Sequence, residues 1–269
     1  MNRKVLLIVV LFSVFIVHKV VAYEAFYDDN GNMIKEVYNN GSYAEFTYDG
    51  NNNLLTNTIY GGEGMPPSKR YAYTYDANNN MTSSLVYNSA EDIERDYPIN
   101  KQEWTYDSNN RQTSYVYYHT DWSIINNAPD RKETWDFDDT SGKETYLLYK
   151  TPESVAANQA DEKKETIYNE DLQYYNETYY YTQESIASDE PDYKREGWFD
   201  EQKGTWNTKY YETSESISSG TADYIEVYHD ENGQSERFDS QGRINGIQGM
   251  GIEYNEEGQM KRLIGPCYY

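Results

Sequence analysis

The sequence predicts an all-β fold: tandem β-hairpin repeats forming an elongated antiparallel meander sheet or a β-solenoid-like array. Three observations predict it: a constant 31-residue period, heavy use of tyrosine, and a run of Asp, Asn and Gly after each aromatic column. Asp76, Asp107, Asp138, Asn169 and Asp200 carry the period. An aromatic precedes each of them: Tyr75, Tyr106, Phe137, Tyr168 and Phe199. A tyrosine follows each eleven residues later, at Tyr87, Tyr118, Tyr149, Tyr180 and Tyr211. A base stands six residues before, at Arg70, Lys101, Lys132, Lys163 and Lys194. Four coincident columns at one period mark an array of equivalent units.

Residues 1–22 are set apart. Asn2-Arg3-Lys4 is a short basic stretch, Val5 to Val17 is apolar except for Ser13, and Val20-Val21-Ala22 offers a small-residue cleavage site before Tyr23. That order reads as a secretory signal peptide. An uncleaved membrane anchor is the alternative, against which stand the short apolar run and its break at His18-Lys19. Residues 23–269 then form one repeat domain of about ten units. The first spacings are shorter, with Asp28 to Asp49 at 21 and Asp49 to Asp76 at 27, and the register loosens after Tyr211.

Within a unit, Tyr71-Ala72-Tyr73-Thr74-Tyr75 and Trp104-Thr105-Tyr106 alternate at period two, placing their aromatics on one strand face. Asp76-Ala77-Asn78-Asn79-Asn80 is turn chemistry, since Asp and Asn tolerate positive φ and cap turns with their side chains. A second strand follows, as in Thr113 to Tyr118 or Glu144 to Tyr149. About a dozen polar residues with Pro66-Pro67, Pro98, Pro129, Pro152 and Pro191 link the hairpins as loops on one side. A short helix is expected only within Glu153 to Lys163, and one sheet face is expected to be core.

Composition narrows the function. The chain carries 23 Lys+Arg against 46 Asp+Glu, a net charge of -23, which repels phosphate backbones and anionic lipid. No nucleic-acid partner and no stable membrane insertion after signal cleavage are expected. Three His and one Cys leave little for a soft-metal or disulfide framework. Leu, Ile, Val and Phe make up only about 13% of residues 23–269, a level that flags disorder. The 31 tyrosines and five tryptophans offset this, because aromatics bury large areas and favour strands.

Tyr27-Asp28-Asp29-Asn30-Gly31-Asn32-Met33, Tyr48-Asp49-Gly50-Asn51-Asn52-Asn53-Leu54 and Tyr75-Asp76-Ala77-Asn78-Asn79-Asn80-Met81 resemble the YD repeat of the RHS family. That signature is Tyr-Asp, two residues, Gly, one residue, then an aliphatic. The 21-residue first spacing fits it; the 31-residue period is longer, and Gln112, Lys143 and Thr205 replace the aliphatic. The resemblance implies curling β-sheets in secreted or surface proteins, with large members enclosing toxins or contacting carbohydrate. This chain looks like a short stand-alone array.

Candidate sites follow from the columns. Asp76, Asp107, Asp138 and Asp200 are weak Ca²⁺ candidates, the competing reading being that each accepts N–H bonds in its own turn. The basic column is expected to pair with neighbouring acids. His119 and His229 read as surface residues without a Ser or Cys partner, and no catalytic residue or cofactor motif emerges. Asn40, Asn80 and Asn176 head glycosylation sequons, and Cys267 is either an intermolecular disulfide or an inert thiol. Trp104, Trp135 and Trp198 with Tyr118, Tyr149, Tyr180 and Tyr211 form a candidate aromatic binding face, against the plainer reading that aromatics hold a thin sheet together. The expected function is an exported, non-catalytic binding or structural repeat protein, secreted, periplasmic or at the cell surface, contacting glycan or an envelope protein. A carboxylate-dependent glycan-active enzyme and a remnant of a larger RHS-type protein are the alternatives.

Overall fold

The computed structural model describes residues 3–5, 24–169, 171–229, 234–247, 250–254 and 260–266, with side chains for 24–169, 171–229 and 235–244. Most of the 1–22 segment and Cys267 lie outside the described residues. Two compact units divide the chain, Met1–Lys132 and Glu133–Tyr269.

The first unit runs β1 (Arg3–Val5), β2 (Glu24–Tyr27), β3 (Met33–Val37), β4 (Tyr43–Tyr48), β5 (Leu54–Tyr60), β6 (Pro67–Tyr75), β7 (Met81–Tyr87), α1 (Ala90–Glu94), β8 (Asn100–Tyr106), β9 (Gln112–Tyr118) and α2 (Asp121–Ile125). Every strand pairs antiparallel with the next. The second unit holds β10 (Arg131–Asp138), whose start precedes the division, then β11 (Lys143–Tyr149), α3 (Pro152–Ala157), β12 (Glu162–Asn169), β13 (Tyr174–Tyr180), α4 (Gln183–Ser188), β14 (Tyr193–Asp200) and β15 (Thr205–Tyr211). After these come α5 (Ser214–Ser219), β16 (Tyr224–His229), β17 (Gln234–Asp239), β18 (Ile244–Ile247), β19 (Met250–Tyr254) and β20 (Met260–Pro266). From β11 onward each strand again pairs antiparallel with its successor. The all-β hairpin meander expected from the sequence is the fold.

Register explains two of the sequence columns at once. Arg70 faces Tyr87, Lys101 faces Tyr118, Lys163 faces Tyr180 and Lys194 faces Tyr211 across their hairpins. Each cation lies over the ring it faces, at 5.9, 4.5, 4.2 and 5.3 Å from the centroid. The bases also meet carboxylates two residues on, with Lys101–Glu103 at 2.9 Å, Lys163–Glu165 at 3.1 Å and Lys194–Glu196 at 2.6 Å. Neighbouring acids were the expected partners; the tyrosines are a second partner.

The polar linkers are where the structure departs from expectation. The linkers after β7, β9, β11, β13 and β15 each hold a helix of five or six residues. The cause is a capping device repeated with the period: Ser89, Thr120, Thr151, Thr182 and Thr213 cap the helices, each accepting the N–H three residues on. In the last four the partner is a serine, Ser123, Ser154, Ser185 or Ser216, whose hydroxyl closes a reciprocal capping box. The one helix foreseen, within Glu153 to Lys163, lies at Pro152–Ala157, because Thr151 caps it, Pro152 starts it and Asn158 ends it at φ +52°. Glu162 and Lys163 already belong to β12. The period follows from this: the β3–β4 link is a tight turn at Tyr38–Ser42, closed by Gly41 N–H donating to the Tyr38 carbonyl, and its repeat is 21 residues long. Inserting a capped helix stretches the repeat to 31.

Burial also differs from expectation. Among the described residues, neither face forms a continuous core: buried hydrophobics are Ala25, Ala44, Leu148, Ala222 and the column Tyr87, Tyr118, Tyr149, Tyr180, Tyr211. The capping serines Ser123, Ser154, Ser185 and Ser216 are buried as well. Burial is thus concentrated in a row where each hairpin's second strand leads into its linker helix. Most other strand aromatics are half-buried.

Candidate binding faces

The turns come first, since they hold the strands that present every other group. In Asp76, Oδ1 accepts the N–H groups of Asn78 and Asn80 at 2.9 Å each, and Oδ2 accepts the Asn80 amide at 3.0 Å. Asp28, Asp49, Asp107 and Asp239 repeat the arrangement, with the Arg111 or Arg243 guanidinium replacing the amide in the last two. Asp138 accepts from Thr140 and Ser141, and Asp200 from Gln202 and Lys203. Hydrogen bonds from the Asn80 side chain and backbone hold the Asp76 carboxyl below its ordinary pKa. The oxygens proposed for Ca²⁺ at Asp76, Asp107, Asp138 and Asp200 are engaged in these turns.

Two further contacts tie one hairpin to the next. The hydroxyls of Tyr48, Tyr75 and Tyr106, each just before its Asp, donate to the carbonyls of Met33, Leu54 and Met81 in the preceding hairpin, at 2.9, 3.0 and 3.0 Å. Amides join the turns in sequence: Asn32 to Asn52, Asn53 to Asn79, and Asn80 to Asn110, at 2.8, 2.8 and 3.0 Å. The Tyr-Asp pair therefore works as a structural joint, with the Asp closing its own turn and the Tyr holding the neighbour.

Strand alternation sorts the predicted aromatics. Trp104 faces Tyr115 across the β8–β9 hairpin, centroids 5.6 Å apart, and the run continues to Tyr117 at 6.5 Å and His119 at a further 5.7 Å. Tyr117 accepts from the Asn100 amide at 2.9 Å and pairs with His119 Nδ1 at 3.1 Å. Trp135 holds the same repeat position as Trp104 and packs on Tyr146 at 5.3 Å, whose hydroxyl donates to Glu133. Trp198 sits one position later in its repeat, which puts it on the face of Lys194 and Glu196, with Lys209 Nζ 5.5 Å from its ring. All three tryptophans are half-buried.

Tyr118, Tyr149, Tyr180 and Tyr211 are corrected away from any open face, being only 3% to 4% exposed. The hydroxyls of Tyr118, Tyr180 and Tyr211 donate to Glu103, Asp189 and Glu196. Burial and the nearby Glu196 charge push Tyr211 up to about 12. These rings cannot stack on a ligand.

In the second unit the strand face carries charge. Glu177, 7% exposed, accepts from Lys164, from Arg195 and, at 3.2 Å, from the Tyr179 hydroxyl. Burial pushes the Glu177 carboxyl up, but hydrogen bonds from Arg195 and Lys164 outweigh it and hold the group below its usual range. This is opposite to the raised carboxyl a general acid needs. The Tyr175 ring lies against Gly197, where a Cβ would stand 2.1 Å from the ring, and its hydroxyl meets Thr208 at 3.0 Å. Tyr179 packs edge-on to Tyr193, and Tyr210 stacks on Tyr224 at 4.5 Å. Between α4 and α5 lies an open groove of about 890 Å³, lined among others by Thr182, Asp189, Asp192, Ser214 and Ile217. Among the described residues, no group of three His, Cys, Asp or Glu is placed to hold a metal.

Sequence reasoning missed Asp130, Asp161, Asp192 and Asp223. Each anchors a linker by accepting the N–H eleven residues earlier, from His119, Lys150, Tyr181 or Glu212, at 2.6 to 2.7 Å. They too stand 31 residues apart. Extending the column comparison to the linkers would have found them together with the Thr and Ser caps.

No family model matches the chain, and no curated protein sequence does. Among solved structures it is similar to a Photorhabdus luminescens Tc holotoxin pore, at 13% identity and a TM-score of 0.30 over 91% of its length. It is also similar to the crystal structure of TcdB2-TccC3, at 11% identity and a TM-score of 0.25 over 90% of its length. The chain spans 14% and 16% of the lengths of those two chains.

Proposed function

We propose that this protein is an exported, non-catalytic repeat module, related in type to YD-repeat proteins, that binds glycan through the aromatic run Trp104–Tyr115–Tyr117–His119. That run is the observation supporting the reading. Its rings are half-buried or exposed, and Asn100 and His119 hold the Tyr117 hydroxyl in place. Flat aromatic surfaces fixed on a rigid strand pair suit the apolar faces of sugar rings, and neighbouring amide and hydroxyl groups suit their hydroxyls. Export rests on the basic, apolar and small-residue order of residues 2–22. Cleavage before Tyr23 removes β1 and leaves β2 at the edge of the first unit's meander.

A glycan-array screen on secreted protein tests the binding, and N-terminal sequencing of that product tests the export. Trp104→Ala and Tyr115→Ala are expected to abolish the hits while Trp198→Ala keeps them. Hits that survive both first-unit substitutions, or a folded protein with no hit, refute the binding reading. A mature terminus other than Tyr23 refutes the cleavage.

A further inference from the structure

The five linker helices occupy equivalent places in their repeats, so each helical position can be compared along the array. The second position is Glu91, Trp122, Glu153, Glu184 and Glu215; the fifth is Glu94, Ile125, Ala156, Ala187 and Ser218. Only α2 among these breaks the polar or small pattern. It does so twice on one face, since residues three apart on a helix are neighbours. Trp122 is 60% exposed and Ile125 65%. Folding does not require them: four sister helices form with Glu and a small or polar residue at these places. Exposing a Trp and an Ile side by side, where the repeat elsewhere presents Glu, marks an interaction site.

The surroundings say what can sit there. On α2 itself Asp121 flanks the pair, and the α1 linker contributes Glu91, Asp92, Glu94 and Asp96 against Arg95, which Glu91 already holds at 2.8 Å. The two linkers are neighbours: Lys101, where the α1 linker has entered β8, donates to the Asn127 side chain of the α2 linker at 3.3 Å, and Tyr97 lies within electrostatic reach of Asp121. An apolar knob framed by acids complements an apolar surface rimmed by Lys and Arg, and repels anionic lipid. We propose that Trp122 and Ile125 are a docking knob for a partner protein that presents an apolar surface rimmed by Lys and Arg, for which an amphipathic cationic helix is the probe. The knob lies on α2 and the aromatic run on β8, β9 and His119, so different substitutions test the two readings.

The test titrates the full chain with a synthetic leucine–lysine amphipathic helix, with a scrambled isomer of the same composition, and with phosphatidylcholine vesicles. The variant is the double substitution Trp122→Glu and Ile125→Ala, which installs the residues α3 carries as Glu153 and Ala156 and so keeps the helix. The expected result is preference for the amphipathic isomer and binding about tenfold weaker in the variant. Added negative charge would by itself tighten cationic peptide binding, so the loss reads the apolar contact. Equal affinity for both isomers, an unchanged variant, or vesicle binding that depends on Trp122 and Ile125 overturns the proposal. Retained glycan binding in the variant confirms that the two sites are distinct.

Discussion

Tyr115 in the first unit and Glu177 in the second hold the same position in their repeats, two periods apart, yet they organise their strands by different physics. Around Tyr115 the face is a run of rings with Trp104, Tyr117 and His119. Around Glu177 it is an ion cluster with Lys164 and Arg195, screened by tyrosines. Two periods before Lys164 and Arg195 stand Gln102 and Glu133, so the ring-bearing repeat has no cation at either place. One backbone thus supports an aromatic face or a buried ionic one, depending on which pair the register brings together.

The hairpin turns come in two forms as well, and the second unit holds both, since the Asp239 turn has its left-handed residue at Gly242 beside a register slip. In β2–β3, β4–β5, β6–β7 and β8–β9 the left-handed residue is the third after Asp, namely Gly31, Asn52, Asn79 and Asn110, and the ladder slips by one residue beside the turn. In the turns after Asp138, Asn169 and Asp200 it is the fourth, at Gly142, Gln173 and Gly204. There β12–β13 and β14–β15 pair without a slip. Shifting the positive-φ residue by one place decides whether a bulge forms.

Substitutions that break this contrast are ordered by expected effect. Glu177→Ala is the largest, at roughly 2–3 kcal/mol in urea unfolding, moderated because Lys164 and Arg195 stay about one-third exposed. Tyr115→Ala, at the equivalent place, should cost less, since no charge is stranded. Gly197→Ala follows at about 1–3 kcal/mol, because the new methyl meets the Tyr175 ring. Adding Tyr175→Ala should recover part of that loss, and no recovery would mean the contact is not the cause.

Smaller effects come from the joints. Tyr106→Phe removes the bond to the Met81 carbonyl and should cost about 1 kcal/mol. Phe137→Tyr and Phe199→Tyr, at the matching places, should gain nothing comparable if the joint belongs to the bulged turns. Asp107→Ala should lower the melting temperature more than Asp200→Ala, since Asp107 accepts two close N–H bonds and a guanidinium while Asp200 accepts longer ones.

The pH response has a definite sign. Burial raises the folded-state pKa of Tyr193 and Tyr211 to about 12, and raises Tyr87, Tyr118, Tyr180, Tyr210 and Tyr224 as well. Their contribution is complete below the unfolded value of about 10 and is lost as pH rises towards 12. Five of these seven lie in the second unit, so phenolate absorbance and melting should show that unit loosening first in base. The turn carboxylates Asp28, Asp49, Asp76 and Asp107 are lowered, so their contribution is present above about pH 4 and is lost on acidification.

Much of this was legible in the residues. The period, the hairpins and the turn-making role of the Asp column are local properties, set by alternation and by side chains that reach their own backbone. The helices were legible too, in the Thr-x-x-Ser repeats, although proline and polarity pointed to loops. The bulge could have been read from the third residue after the Asp, which is Gly or Asn in the slipped turns (Gly31, Asn52, Asn79, Asn110) and Ser141, Leu172 or Lys203 in the others.

What only the tertiary structure decided is which side chains meet and which are covered. Tyr118, Tyr149, Tyr180 and Tyr211 look in sequence like any other strand tyrosines. They are buried because each lies where its strand leads into a linker, among residues distant in the chain. The pairing of Glu177 with Lys164 and Arg195 likewise depends on three strands in register. The sequence alone determined the repeated hairpin, because period and turn chemistry act over a few neighbouring residues. Burial and ion pairing were decided by the assembled sheet, because they depend on contacts between strands.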